Sequence, residues 1–215
     1  MNLHSLHKPK SPTRRQLLGI ALLLAVASAH AQTAPGTDTP PVRLRGVIQA
    51  VDLPRITVKE RGGETLTLVL ADKLTFQEVL PIAVSAIQPG SFIGTAAVTR
   101  ADGRLESLEV VVFPEAARGT GEGHYPWDLQ PQSSMTNATV ADLVQSANGR
   151  ELTLRYKDGE KRVVVPEGVP VVTFKPGEPA LIAPGAKVFI VAVQRNGVPT
   201  VTRLVVGRDG FTPPM

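Results

Sequence analysis

Five residues able to do chemistry crowd one stretch of this chain: Glu122, His124, Tyr125, Trp127 and Asp128, within "GTGEGHYPWDLQ". An imidazole beside carboxylates can bind a metal ion or respond to pH, and two aromatic rings add an apolar, stacking wall. The set is therefore a candidate ligand pocket, and Glu122, His124 and Asp128 are its alternative metal-binding subset. Two other arrangements compete with it. In one, Tyr125 and Trp127 staple the segment into a groove while His124 and Asp128 satisfy nearby backbone groups; in the other, the segment lies open to solvent.

The rest of the composition narrows the chemistry. Zinc sites take three or four Cys, His or carboxylate ligands, but the chain has no cysteine, and His4, His7 and His30 precede the structured region, leaving His124. No D-x-D-x-D-G calcium loop occurs either. No cofactor and no resident metal are expected, with a weak metal site around His124 as the alternative. A Ser-His-Asp hydrolase would have to combine His124 with Ser133 or Ser134 without a G-x-S-x-G elbow, and ranks third. "RGTGEG" lacks the Lys-Ser/Thr of a phosphate loop. Glu106 with Glu109, and Asp158 with Glu160, are expected to be solvated charges on strand or turn surfaces.

The elements that must position these residues follow from the N-terminus onward. Residues 1–31 place Lys8, Lys10, Arg14 and Arg15 before the apolar run "LLGIALLLAVASA" and end in Ala29-His30-Ala31, the order of a cleavable signal peptide. "TRRQLLG" fits a twin-arginine signal as well as an ordinary secretion leader. The run falls short of the ~20 apolar residues of a membrane span, so no transmembrane anchor is expected after cleavage and the expected location is the periplasm. The chain counts 23 Lys plus Arg against 19 Asp plus Glu; the leader holds four of the bases and no acid, so its loss leaves 19 of each. A neutral, exported chain with few aromatics argues against nucleic acid as a partner.

Residues 32–41, "QTAPGTDTPP", read as a flexible linker. Beyond it one pattern is written twice. "VRLRGVIQAVD", "RITVKE" and "ETLTLVL" alternate apolar and polar residues as half-buried strands do, followed by "SFIGTAAVT" and "RLESLEVVVF". "NATVADLVQS", "RELTLRYK", "EKRVVVP", "AKVFIVAVQ" and "VPTVTRLVVG" repeat that order, with "IQPGSFI" registering on "IAPGAKV". Three strands, a connection and two strands follow the order of an OB-like barrel, with a small five- or six-stranded barrel of another topology as the competitor. Pro81 and Pro89 in one unit, and Pro179 and Pro184 in the other, limit any helix between strands three and four to a short one. The expected fold class is all-β, with two tandem five-stranded OB-like barrels at 42–113 and 137–209. A Gly/Pro/aromatic linker at 114–136 joins them and a tail occupies 210–215.

Across about 42–209 the chain resembles uncharacterised periplasmic tandem-barrel proteins of proteobacteria, through "GVIQAVD…ITV", "IQPGSFIG" and "VVFPEAARGTGEGHYPWDL". The resemblance implies the double-barrel fold; some such proteins carry a metal-transport label. Together these features lead us to expect an exported, non-catalytic binding or assembly module. Its partner would be a periplasmic protein or a small ligand, and an accessory role in metal handling is the alternative.

Overall fold

The computed structural model describes residues 40–146 and 149–215; the expected leader and most of the expected 32–41 linker lie outside the described residues. Alternation of buried and exposed side chains forms the strands. In β2 (Arg55–Glu60) Ile56 and Val58 are buried, and in β8 (Gly149–Tyr156) Leu152 and Leu154 are, with polar residues between them facing away. The other strands are β1 (Val42–Asp52), β3 (Thr65–Pro81), β4 (Phe92–Thr99), β5 (Leu105–Val112), β6 (Gly123–Pro126), β7 (Ser133–Ser146), β9 (Gly159–Val165), β10 (Val171–Pro176), β11 (Lys187–Arg195) and β12 (Val198–Gly207). The described residues are all-β apart from short 3-10 turns, two of them at Val84–Ala86 and Pro179–Leu181, where the short helices were expected. None of their helices is long and apolar enough to cross a membrane.

A closed five-stranded barrel runs β1-β2-β3-β12-β11 and back to β1, antiparallel except where β12 lies parallel to β3. The remaining strands extend this sheet. Among them β4, β7, β8, β9 and β5 also pair in ring order, the β5–β9 link being parallel and joining Leu105 to Val163 and Glu106 to Val164. The expectation that residues 42–113 and 137–209 each close a barrel alone is therefore not met. The last hairpin of each half pairs with the first three strands of the other half.

The length of β3 is the physical reason. At about 3.3 Å per residue its 17 residues are long enough to pair with β2 through Thr65–Val69 and with β12 mainly through Thr75–Val79, closing the barrel, and to run on past it. Its second half meets β10 antiparallel, carrying the chain across so that β4 and β5 join the other strand set. Val79 faces Phe174 on that seam, at the same sequence separation as Pro89 from Pro184, so positions at this constant offset meet about a pseudo-twofold point.

Three apolar clusters result. Ile48, Ile56, Leu68, Ile190 and Leu204 fill the closed barrel, and Ile93, Ala138, Leu152, Leu154 and Val163 fill the second strand set. Between them lies a third cluster of Val79, Val111, Val172, Phe174, Phe189, Val205 and Met215, with Phe113 and Trp127 packed on it. A core shared by both halves is the energetic counterpart of the hairpin exchange.

Candidate functional site: a cleft on the shared core

The 114–136 segment is partly strand. Gly123 to Pro126 pair with Asn137 to Ser134 and add β6 to the edge of β7, and the turn that follows is closed by Trp127 N–H donating to the Ser133 carbonyl at 2.8 Å. Period two then divides the expected site. Tyr125 and Trp127 face one side of the sheet, and His124 faces the other.

Residues directly opposite across antiparallel strands share a face. One such row runs Glu109, Ala96, Met135, Tyr125 over β5, β4, β7 and β6; the adjacent row runs Val111, Gly94, Asn137. Gly94 must be small, because a Cβ there would stand 2.5 Å from Asn137 Oδ1 and 3.0 Å from the Phe113 ring. Against these rows pack Phe174 from β10, Phe189 from β11, Arg203 from β12 and Met215. They enclose a cavity of about 140 Å³, also bordered by Phe113, Tyr125 and Trp127. The Tyr125 and Trp127 rings meet edge to face at 6.1 Å, and Phe113 lies 5.9 Å from Phe174.

The polar groups around this cavity are incompletely satisfied. Asn137 Nδ2 donates to the Thr120 carbonyl (3.1 Å) and to Tyr125 Oη (3.2 Å), which fixes the amide orientation, while its buried Oδ1 has no partner. Trp127 Nε1 and Arg203 Nε are likewise buried without a partner. Native proteins pair nearly all buried polar atoms, so three such atoms on residues around one cavity mark it out. Burial raises the Tyr125 hydroxyl above its ordinary range and draws the Arg203 guanidinium below its own.

Glu109 corrects an expectation. It is fully buried with neither carboxylate oxygen hydrogen-bonded, and burial pushes its pKa up to about 8 against a weaker opposing pull from Arg45. A bulge leaves Leu108 unpaired, which puts Glu109 on the same face as Glu106. Glu106 reaches the rim and pairs with Arg100, but the face beneath Glu109 is covered by the shared core. A surface position for one strand set is an interior position for the pair.

The other expected residues do not converge. His124 Nδ1 lies 2.8 Å from Thr136 Oγ1, and burial together with Lys161 holds its pKa below the usual imidazole range. A Glu122 carboxylate oxygen accepts from Lys157 N–H at 3.1 Å. Asp128 Oδ1 accepts from Arg45 Nη2 at 2.7 Å, and Asp128 Oδ2 lies 3.7 Å from Arg43. His124, Glu122 and Asp128 thus each serve a different neighbour, and no group of metal-ligating side chains forms among the described residues. Ser133 Oγ contacts the Trp127 and Gln130 carbonyls rather than His124.

The stapling arrangement is met in part, since His124 and Asp128 meet the side chains of Thr136, Arg43 and Arg45 rather than backbone groups. The Arg43 guanidinium lies 4.2 Å over the Trp127 ring, and Arg43 and Arg45 both reach Asp128, tying the turn after β6 to β1. Tyr125 and Trp127 therefore act at once as a clasp and as cavity walls. Asn137 and Arg203 escaped sequence reasoning. An isolated Arg in "TVTRLVVG" and an Asn at a strand start are the only traces they leave.

Comparison of the chain with protein-family models, with curated proteins and with solved structures finds no match.

Proposed function

We propose that this protein is an exported, non-catalytic binding module whose ligand seat is the cleft on the shared core. One observation carries the reading: buried polar atoms of Trp127, Asn137 and Arg203 stand unpaired around a single, mostly apolar cavity. That combination of apolar walls and a few convergent polar groups is the usual make-up of a small-molecule site. The expected leader at 1–31 supports export to the periplasm. The strand order 1-2-3-5-4, read with the exchanged hairpin as strands four and five, supports an OB-like description of the closed barrel, and the repeated sequence extends it to the second strand set. Metal handling around His124 has less behind it, since its three ligands point to separate partners.

The test is a thermal-shift and native mass-spectrometry screen of the purified protein against small metabolites. A genuine ligand raises the melting temperature by mass action, remains bound in the mass spectrum and changes the emission of Trp127, the sole tryptophan. If no compound does all three, the cleft is packing and the reading is abandoned.

A further inference from the structure

Arg203 is the charged group in this cleft that lacks a counter-charge. It leaves β12 with its Cζ 5.2 Å from the Phe174 ring centroid and donates from Nη2 to Gln77 Oε1 at 2.9 Å. Nε has no partner, and no carboxylate among the described residues forms an ion pair with it. The acids on neighbouring positions do not serve. Glu109 makes no hydrogen bond through its carboxyl, Asp128 is held by Arg43 and Arg45, and the Met215 oxygen on the cleft wall accepts from Arg45 Nε. A guanidinium keeps its proton in proteins, so one that is half-buried calls for an anion at its open edge.

The same space offers further donors. Trp127 Nε1–H has no acceptor, and Tyr125, whose oxygen accepts from Asn137 Nδ2, keeps its own hydroxyl hydrogen to donate. The remaining walls are mostly apolar, with rings of Phe113, Phe174 and Phe189 beside Val111, Met135 and Met215. A cavity of about 140 Å³ matches the roughly 150 Å³ of an apolar protein cavity that admits benzene. A bare inorganic ion would leave those rings facing empty space. A cation would meet Arg203.

We propose that the cleft binds a small monocarboxylate with an apolar body about the size of benzene. Its carboxylate sits on Arg203 and Trp127, and its body lies among the phenylalanines. This inference rests on the cleft being a ligand seat and adds the chemical class. Arg203 sets the charge preference, because a planar fork matches a carboxylate edge. Asn137 Oδ1 remains to accept from a ligand that also bears a hydroxyl or N–H.

The experiment titrates the purified protein with benzoate, benzyl alcohol and benzylammonium by calorimetry, with Trp127 emission as the site reporter. Benzoate is expected to saturate one site at least tenfold more tightly than benzyl alcohol, and benzylammonium is expected not to bind. In Arg203→Gln the benzoate affinity should fall tenfold or more while that for benzyl alcohol changes little; Arg203→Lys should fall between. Benzyl alcohol binding as tightly as benzoate overturns the inference yet leaves the cleft a ligand seat. Undiminished benzoate binding by Arg203→Gln does the same. Absence of saturable binding by all three probes also overturns it, and the metabolite screen then decides the broader reading.

Discussion

Glu109 couples the shared core to pH. A carboxyl that titrates at about 8 in the folded chain and near 4.3 in the unfolded one keeps its proton longer when folded. Between those values the native state binds more protons, so stability is fully present below the unfolded pKa and declines as pH rises through 8. Arg45, the charge nearest in effect, opposes this only in part. Glu109→Gln keeps the shape and removes the titration. We expect its melting temperature to be flat where the wild type falls between about pH 5 and 8, with a gain of a few kcal/mol at the alkaline end, read by calorimetry across pH. Parallel curves for the two proteins would mean that the carboxyl is solvated. Gly94 gives a second test at this scale. Gly94→Ala places a methyl 2.5 Å from Asn137 Oδ1, and overpacking of this kind costs about 1–3 kcal/mol. The Asn137 to Tyr125 bond should be lost with it, visible as a Trp127 emission shift in the native protein.

At the scale of elements, the strands were readable wherever one face is buried and the other is wet. β1 and β2 coincide with "VRLRGVIQAVD" and "RITVKE" residue for residue, because two-residue periodicity is a local property. The misreadings have a common physical origin. "ADKLTFQEVLP" continues β3 through charges and a terminal proline, since Glu78 is buried against Arg208, whose Nε donates to it at 2.7 Å, a partner 130 positions away. "GHYP" is too short to show a period and becomes β6 only because β7 offers an edge. Two of the five expected site residues, Tyr125 and Trp127, reach the cleft, and both were recognisable as rare aromatics that require a dry partner. Their polar companions Asn137 and Arg203 come from β7 and β12, whose meeting depends on pairings that no local pattern records. β10 is the element that holds those pairings together, with β3 on one side and β5 on the other. Thr173 faces Leu80 and Val112 across the two seams and its hydroxyl donates to the Val112 carbonyl at 2.8 Å. Thr173→Pro removes a backbone donor and this hydroxyl from a central strand, so a loss of at least about 1–3 kcal/mol, the cost of leaving a buried acceptor unsatisfied, is expected in urea denaturation. A smaller loss would show β10 to be a passive filler.

At the scale of the molecule, exchange of the final hairpins makes each half depend on the other. Residues 42–113 supply β1 to β5, but in the intact chain β4 and β5 lie on β7, β9 and β10, and the barrel begun by β1 to β3 is closed by β11 and β12. Cutting the chain in the 114–122 segment preserves every one of these pairings while removing the covalent link. The two fragments, produced together, should therefore assemble one to one and restore the Trp127 environment, with an affinity that reflects the shared aromatic core as well as the sheet seams. Alone, the 42–113 fragment would expose Val79, Val111 and the 75–81 edge of β3, an unpaired apolar strand of the kind that drives association. We expect it to self-associate, exchanging hairpins with a second copy, when followed by size-exclusion chromatography and native mass spectrometry. A stable, folded monomer of 42–113 would mean that its own β4 and β5 can fold back to close the barrel. In that case the exchange would be a choice made by the intact chain, and the cleft would be a product of joining two self-sufficient barrels.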